Sequence, residues 1–567
     1  MVMDSLPSAI STPVSFYTAN DSDAQHESTT ASSPVQDASC PYRATRQLPR
    51  ELKEHCQIFL EEQLYMCAIN LLSSVLGTGV SRAPGGRCKP ALAPPPSHLA
   101  LLSTLIVHPT HTTRADKPEH LDISSLALGY LRNLLALAGP INAGFRAAFQ
   151  YGSTPRWAGR RHADAGHGSD SDMSDADDRD HDRLRGRMAN EASLWTRGRD
   201  LWSTVGWAFN TATLHPHRWR YWRLWLEYML DVLEADWNER ERIDLEAFGV
   251  EDGPKRQPRS SRQESMIVMY MDQQENRQAG FKRILKALFA DGESPSSSSF
   301  PEVFEKEHRG LKKTTRKRKR DLVLDVENDK FGDYFDDDSI SSGVSEPPTP
   351  QKPLDARKEA SFVCSNPGLA ESVTLRLRFF ALLSAATFAL RKRSELNQLY
   401  ESFAAASKVL PLPLFSLFVS PRDNSLLPET RVTLIKELFH LLLPSSFKSP
   451  RKVDPEGDAV GSLTMPMLEH CYIALPANTV GLEDNAKLSL LVESAMQLLW
   501  SCDMLEYTDS FAEAASEGTR AREAKARKKR TGKMRVADTA DIIAQDILTN
   551  SGRRIAVFLE ALKATTG

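Results

Sequence analysis

Residues 218–223 interleave arginines with aromatic rings and read RWRYWR. Cations beside aromatic faces can hold phosphates and stack on bases, and Trp, Tyr and Arg also form the centres of protein interfaces. Trp219, Trp222 and Leu226 follow one another in steps of three and four, which in a helix points them to one side. Helical spacing therefore favours a core role for Trp219, Trp222 and Trp225, with the arginines on the solvent-facing side of the helix. Partner binding and nucleic-acid contact remain as alternatives.

Two basic runs offer a different chemistry. The first has seven cations in nine residues, without any apolar periodicity: Lys312, Lys313, Arg316, Lys317, Arg318, Lys319 and Arg320. Short accessible runs of this kind resemble nuclear import signals, and phosphate contact is the competing interpretation. The second run, 520–535, carries nine cations and one acid. It is predicted either as a solvated helix extension or as a strip that contacts phosphates through Arg527, Lys528, Lys529 and Arg530.

Four hydroxyl side chains lie in patterns that resemble kinase sites. Ser169 and Ser174 each have an aspartate three residues later, within a tract of eight aspartates from 164 to 182. Thr349 and Ser449 are each followed by proline and, at the third position, by lysine. Phosphorylation would add nearly two negative charges at each site and change partner contact electrostatically.

Catalytic motifs are missing from the sequence. It contains no GxxxxGK[ST], no HExxH, no GxSxG, no EF-hand loop and no GxGxxG after a strand. The histidines among the aspartates, His162, His167 and His181, lack the rigid frame that a structural metal site needs. We therefore expect a noncatalytic protein without a cofactor or a bound metal.

The averages over 567 residues resemble those of an ordinary soluble protein, with 41% hydrophobic residues and a net charge of −3. The near neutrality comes from opposed blocks, since the first 40 residues carry five acids and no Lys or Arg. That composition fits neither a secretory signal nor a mitochondrial presequence. The longest apolar run has 12 residues, which predicts a buried helix and no membrane span. Seven scattered cysteines without a CxxC pair fit a reducing compartment.

Helical periodicity dominates the rest of the chain. The clearest stripe runs from Pro216 to Asp236, and Pro428 to Leu443 repeats its spacing. Strand patterns are limited to Leu102–Val107 and Leu322–Val326, and two isolated strands do not make a stable sheet. The fold class is therefore predicted as all-α, an irregular helical-repeat-like or bundle architecture interrupted by long disordered acidic and basic loops.

Composition divides the chain into six parts. A disordered acidic Ser/Thr-rich tail covers 1–45, a helical segment with a Pro/Gly loop at 77–97 covers 46–153, and a disordered acidic tract covers 154–190. A Trp-rich helical segment at 191–290 precedes a disordered linker at 291–359 that holds the first basic run. The C-terminal helical region, 360–567, has loops at 444–461 and 518–535 and a break near Gly552.

Together these patterns predict a nuclear, noncatalytic scaffold or adaptor that holds protein partners in a chromatin- or chromosome-associated complex. The alternative is direct binding of DNA or RNA through the runs 312–320 and 520–535. The two hypotheses differ in their response to salt, because phosphate contacts weaken steeply as ionic strength rises. The sequence leaves the oligomeric state and the identity of the partners open.

Overall fold

The computed structural model describes residues 42–78, 90–152, 183–248, 260–273, 277–307, 367–420, 424–528 and 539–566, and it is mostly helical. The all-α class is confirmed at this level. The tail 1–41, most of the acidic tract and the segment 308–366 lie outside the described residues, as does Leu322–Val326.

The described ranges of the N-terminal part contain eleven helices. They are α1 (Arg50–Glu61), α2 (Tyr65–Thr78), α3 (Pro96–Val107), α4 (Pro118–Asn142), α5 (Phe145–Ala148), α6 (Leu194–Arg197), α7 (Leu201–Leu214), α8 (Pro216–Phe248), α9 (Met266–Asp272), α10 (Arg277–Leu288) and α11 (Ser294–Ser299). Two 3₁₀ turns accompany them, at Pro109–His111 and Ser261–Glu264. Side-chain caps fix several starts: Asp200 accepts from the Ser203 amide at 2.8 Å before α7.

The C-terminal part continues in the same way. Its helices are α12 (Pro367–Leu390), α13 (Arg393–Val409), α14 (Leu412–Val419), α15 (Pro428–Leu442), α16 (Pro450–Val453), α17 (Pro455–Val460), α18 (Met465–Met467), α19 (Leu482–Ser501), α20 (Asp509–Lys528) and α21 (Thr539–Thr566). A π-helical turn, Leu468–Ile473, follows α18 directly.

The predicted strand Leu102–Val107 is wrong, because these residues form the last turns of α3. Every side chain from Leu101 to Val107 is buried, so the run has no polar face to reveal a helical period. Two three-residue strands occur elsewhere in the described ranges, β1 (Thr45–Gln47) and β2 (Ala91–Ala93). They pair in parallel, with Thr45 opposite Ala91.

Two large apolar clusters make up the core. One gathers buried side chains between Leu48 and Leu434, and the other gathers side chains between Ala404 and Leu562. Helix α12 joins the two halves of the chain, since Arg378 binds Asp231 and Glu234 of α8 at 2.8 and 2.6 Å. The segments on either side of residues 308–366 thus share one core, and residues 42–567 group as one compact unit.

The linker predicted at 291–359 is wrong for residues 291–307, which the structure describes. Residues 294–299 form α11, and Phe300, Phe304 and Glu307 are buried. Phe300 packs onto Gly206 of α7, where a Cβ atom would lie 2.4 Å from the ring. The Ser-rich composition of 296–299 suggested disorder, but the aromatic side chains that follow anchor this segment to α7.

Other boundaries differ from the predictions as well: β1 begins within the predicted tail 1–45, β2 and the start of α3 lie within the predicted loop 77–97, and α16 and α17 lie within the predicted loop 444–461. The acidic tract ends before 190, since residues 183–190 are described and Leu184 is buried. The loop at 518–535 is wrong as far as residue 528, because α20 continues to Lys528. No break occurs at Gly552, because α21 is continuous from 539 to 566.

Candidate interaction surface

Trp219, Trp222 and Trp225 lie in the core of the fold. All three belong to α8 and are buried. Trp222 meets Trp225 edge to face, with ring centroids 5.6 Å apart, and lies 6.2 Å from the ring of Phe304. This burial agrees with the core interpretation and excludes partner binding by these three rings, which also cannot stack on bases.

Arg218 is buried as well, against the expectation that the arginines of this helix face solvent. Its Nη2 donates to Glu307 at 2.5 Å and to the carbonyl of Val107 at 2.7 Å. Its Nη1 donates to the hydroxyl of Thr112 at 2.7 Å. Burial raises the pKa of the Glu307 carboxyl, and the Arg218 charge offsets part of that rise. Arg220 and Arg223 do face solvent.

A second interior arginine, Arg376, is held by backbone carbonyls. Arg376 donates to the carbonyls of Leu288 and Ala290 at 2.5 and 2.8 Å, and its guanidinium lies 4.1 Å from the ring centre of Phe209. Burial lowers the pKa of Arg376 to about 9. A guanidinium with its donors satisfied in this way ties three helices together and is not free to bind a ligand.

The second basic run is partly structural. Arg522 is buried and donates to the carbonyl of Ile473 at 2.9 Å, and burial lowers its pKa to about 10. Lys525 donates to the carbonyl of Ala477. Arg522 therefore satisfies a carbonyl at the end of the π-helical turn, which the helix leaves without a partner, and Lys525 satisfies one in the segment that follows the turn.

The four candidate phosphate contacts are described only in part. Arg527 is exposed and forms an ion pair with Glu523 at 3.5 Å. Lys528 ends α20, and Lys529 and Arg530 lie outside the described residues. Within the described chain, Arg527 is thus the member of this set whose side chain is seen to reach solvent.

Most of the other predicted sites lie outside the described residues. This applies to the basic run from Lys312 to Arg320 and to Ser169, Ser174 and Thr349. Ser449 is described: it is exposed and immediately precedes the first residue of α16, Pro450. Its hydroxyl is therefore accessible, and a phosphate there would lie at the N-terminus of a short helix.

One tryptophan stands apart from the core. Of the eight tryptophans that the structure describes, seven are buried, whereas the Trp500 side chain is 52% exposed. Trp500 packs edge to face on Phe558 of α21, with ring centroids 5.7 Å apart, and exposed Met504 and Val557 lie in the same two chain segments. We call Trp500, Met504, Val557 and Phe558 the Trp500 surface.

The turn after α19 fixes the position of Met504. The Met504 amide donates to the carbonyl of Leu499 at 2.9 Å, and the Asp503 amide donates to that of Trp500 at 3.1 Å. Asp503 has a positive φ of 54°. These features define a Schellman motif, which ends the helix and returns the chain past its last turn. The motif therefore holds Met504 close to the turn that carries Trp500.

Acidic residues follow the Trp500 surface along the chain. Asp503, Glu506 and Asp509 are all exposed. Lys563 lies 5.4 Å from the ring centre of Tyr507 and so contributes one cation to this region. An exposed tryptophan beside acidic groups suits a protein partner with an apolar anchor site and a basic rim.

This surface was not predicted from the sequence, because the prediction of aromatic binding residues concentrated on the Trp-rich segment 191–290. The buried side of α19 includes Leu491, Ala495 and Leu498. Trp500 comes two residues after Leu498 and does not lie on that side of the helix. An aromatic side chain off the apolar stripe of an amphipathic helix was the available signal.

The described ranges contain no group of three or more His, Cys, Asp or Glu side chains that would hold a metal ion. Helices α4 and α12 are long and apolar enough to cross a membrane by length and composition. Half or more of the most apolar stretch of each is buried by the rest of the fold, as is typical of core helices.

Comparisons with protein-family models, with curated proteins and with solved structures gave no match to this chain. Its function is therefore argued from the surfaces and side chains themselves.

Proposed function

We propose that the chain is a noncatalytic scaffold or adaptor subunit that holds protein partners in a nuclear, chromatin- or chromosome-associated complex. The observation that supports the proposal is the exposure of Trp500. A large apolar ring in contact with water is unfavourable, and burying it against a partner gains free energy. The nuclear location rests on the basic run 312–320. Regulation by phosphorylation of loops belongs to the same proposal and rests on accessible hydroxyls such as that of Ser449.

The proposed architecture is an irregular helical assembly of bundle or repeat-like type. Helices of very different lengths, from the three-residue α18 to the 33-residue α8, pack around two large apolar clusters. Such an assembly presents a large helical surface on which several partners can bind side by side. The acidic groups near the Trp500 surface favour a partner with a basic rim.

The test is affinity purification of the full chain from nuclear extract, with quantitative proteomics. Replacing Trp500 by alanine removes an anchor whose loss costs about 2 kcal/mol or more in interfaces, so recovery of specific partners should fall about tenfold or more. The matched control is Phe388→Ala on α12, where the side chain is 77% exposed. Circular dichroism of both variants verifies that the helices are retained.

Equal recovery of all partners by the wild type and by Trp500→Ala would refute the role of this surface. Recovery of the chain alone at low salt would refute the scaffold function itself. For localisation, deletion of Lys312–Arg320 should move a tagged chain out of the nucleus, and undisturbed nuclear retention would contradict that part.

Direct nucleic-acid binding is the second candidate, and the exposure of Arg527 at the end of the basic helix supports it. Filter binding across salt concentrations distinguishes the two functions. A steep salt dependence that is lost on replacing Arg527 to Arg530 by glutamine supports nucleic-acid binding, and no binding at low salt excludes it. Arg393→Gln, at an exposed arginine on α13, is the control.

A further inference from the structure

The Trp500 surface lies near the C-terminal ends of two parallel helices. Ser489 of α19 donates to Ser551 of α21 at 2.9 Å, and Trp500 contacts Phe558 further along both helices. Helices α19 and α21 therefore lie side by side and run in the same direction. This arrangement gives the surface two distinct sides, one toward the helix starts and one past the end of α19.

A cation lies on the side toward the helix starts. Arg553 precedes Val557 by four positions on α21, so these two exposed side chains are neighbours on one face of the helix. The adjacent Arg554 is paired with Glu493 at 2.7 Å, whereas Arg553 has no ion-pair partner among the described residues. Arg553 therefore places an unpaired positive charge beside the apolar side chains.

Acidic groups lie on the other side, past the end of α19. Asp503 and Glu506 are exposed, and neither forms an ion pair within the part of the chain that the structure describes. The chain passes Lys563 here, since that ammonium lies 5.4 Å from the ring centre of Tyr507. Lys563 is about 15 Å further along α21 than Arg553, at a rise of about 1.5 Å per residue. The order along α21 is thus a cation, the apolar side chains, and then the acids.

This order of charges is complementary to itself. In a pair related by a twofold axis, the same surface of both copies meets in opposite directions, and every contact occurs twice. Arg553 of each copy then faces Glu506 of the other, while Trp500 and Val557 of both copies pack together at the centre. A partner with only one sign of charge would match only one side of the surface.

We propose that a second copy of this chain binds at the Trp500 surface, giving a twofold-symmetric dimer with Trp500 at its centre and an Arg553–Glu506 contact at each edge. The inference rests on the proposed function, because it names a partner for the surface through which the scaffold binds. Four side chains form a small apolar contact, which predicts a weak dimer with a Kd of roughly 1–100 µM.

The first test is sedimentation equilibrium of the full chain. The wild type should change from monomer to dimer as its concentration rises from about 1 to about 100 µM. Trp500→Ala should raise the dimer Kd about tenfold or more, because both copies lose their central side chain. Phe388→Ala, at the exposed phenylalanine of α12, is the matched control and should leave the Kd unchanged.

Charge reversal tests the twofold arrangement itself. Arg553→Glu alone, or Glu506→Arg alone, places like charges against each other at both edges, so each should raise the Kd about tenfold or more. A dimer that contains one chain of each variant has opposite charges at both edges, so an equimolar mixture should dimerise within about threefold of the wild type. Recovery in the mixture also demonstrates that both variants fold. Arg393→Glu, on α13, controls for the change in net charge and should dimerise like the wild type.

Three results would overturn the proposal. They are a wild type that stays monomeric at about 100 µM, Trp500→Ala that dimerises like the wild type, and a mixture that dimerises no better than the two variants alone. A monomeric wild type that recovers partners from nuclear extract through Trp500 would refute the dimer and leave the scaffold function standing. A dimer that recovers no other protein would support the dimer and refute the scaffold function.

Discussion

Glu307→Gln is the perturbation whose outcome the structure determines most directly. The substitution keeps the shape of the side chain and removes its charge, which leaves the buried Arg218 guanidinium without a counterion. Removing one partner of a buried pair costs about 3–5 kcal/mol. A Coulomb estimate at an effective dielectric constant of about 20 and a separation of about 4 Å gives about 4 kcal/mol, in agreement.

Urea denaturation followed by tryptophan emission measures the loss. Trp222 donates to Glu307 at 3.4 Å, so the fluorescence reports on the region that is changed. With a slope of about 3 kcal/mol per molar urea, the midpoint should fall by about 1 M or more. Because a chain of this length need not unfold in two states, the comparison uses the midpoint of the same transition in each variant.

Glu305→Gln is the matched control, two residues away, with a carboxylate that is exposed beside Lys306. It should change the free energy of unfolding by less than about 0.5 kcal/mol. A double variant, Arg218→Met with Glu307→Leu, should recover much of the stability, since apolar pairs replace buried ion pairs well. Equal midpoints for Glu307→Gln and Glu305→Gln, or a double variant no more stable than the single one, would refute the reasoning.

Three further outcomes are expected. Burial lowers the pKa of His111 to about 4, so its contribution to stability is present above pH 6.5 and is lost as the pH falls. In urea titrations, the free energy of unfolding should therefore fall by about 2 kcal/mol less between pH 7 and pH 5 in His111→Phe than in the wild type. Gly518→Ala should cost about 1–3 kcal/mol in urea, because its Cβ would lie 1.9 Å from the Ile473 carbonyl oxygen. Asp503→Gly should raise the stability by about 0.5–1 kcal/mol in thermal melts, because glycine adopts the positive φ without strain.

Each of these expectations has an internal control. Gly129→Ala, in an exposed turn of α4 with nothing within 4 Å of the new Cβ, should stabilise by up to about 1 kcal/mol, and equal effects at Gly129 and Gly518 would contradict the packing argument. An unchanged pH profile in His111→Phe would show that other groups cause the acid sensitivity. A loss of stability in Asp503→Gly would mean that the aspartate side chain itself holds the turn.

Periodicity predicted the long helices well. The stripe through Trp219, Trp222 and Leu226 identified both the helix and its buried face, because local spacing alone determines which side chains share a side. The burial of Arg218 was beyond this reasoning, since its acceptors belong to Val107, Thr112 and Glu307, more than 80 positions away. The same applies to Arg522, whose acceptor at Ile473 becomes a neighbour only when α20 packs on the π-helical turn.

Burial of these cations changes how the charge of the chain is presented. The sequence sum of −3 counts every arginine equally, whether it lies inside or at the surface. Arg376 and Arg522 are fully buried and have no ion-pair partner among the described residues, so their positive charges do not reach the surface. The second basic run accordingly loses Arg522 and Lys525 to backbone carbonyls. Cations held inside in this way do not attract a phosphate backbone, whereas the exposed Asp503, Glu506 and Asp509 attract basic protein surfaces, which favours a protein partner at the Trp500 surface over a nucleic acid on α20.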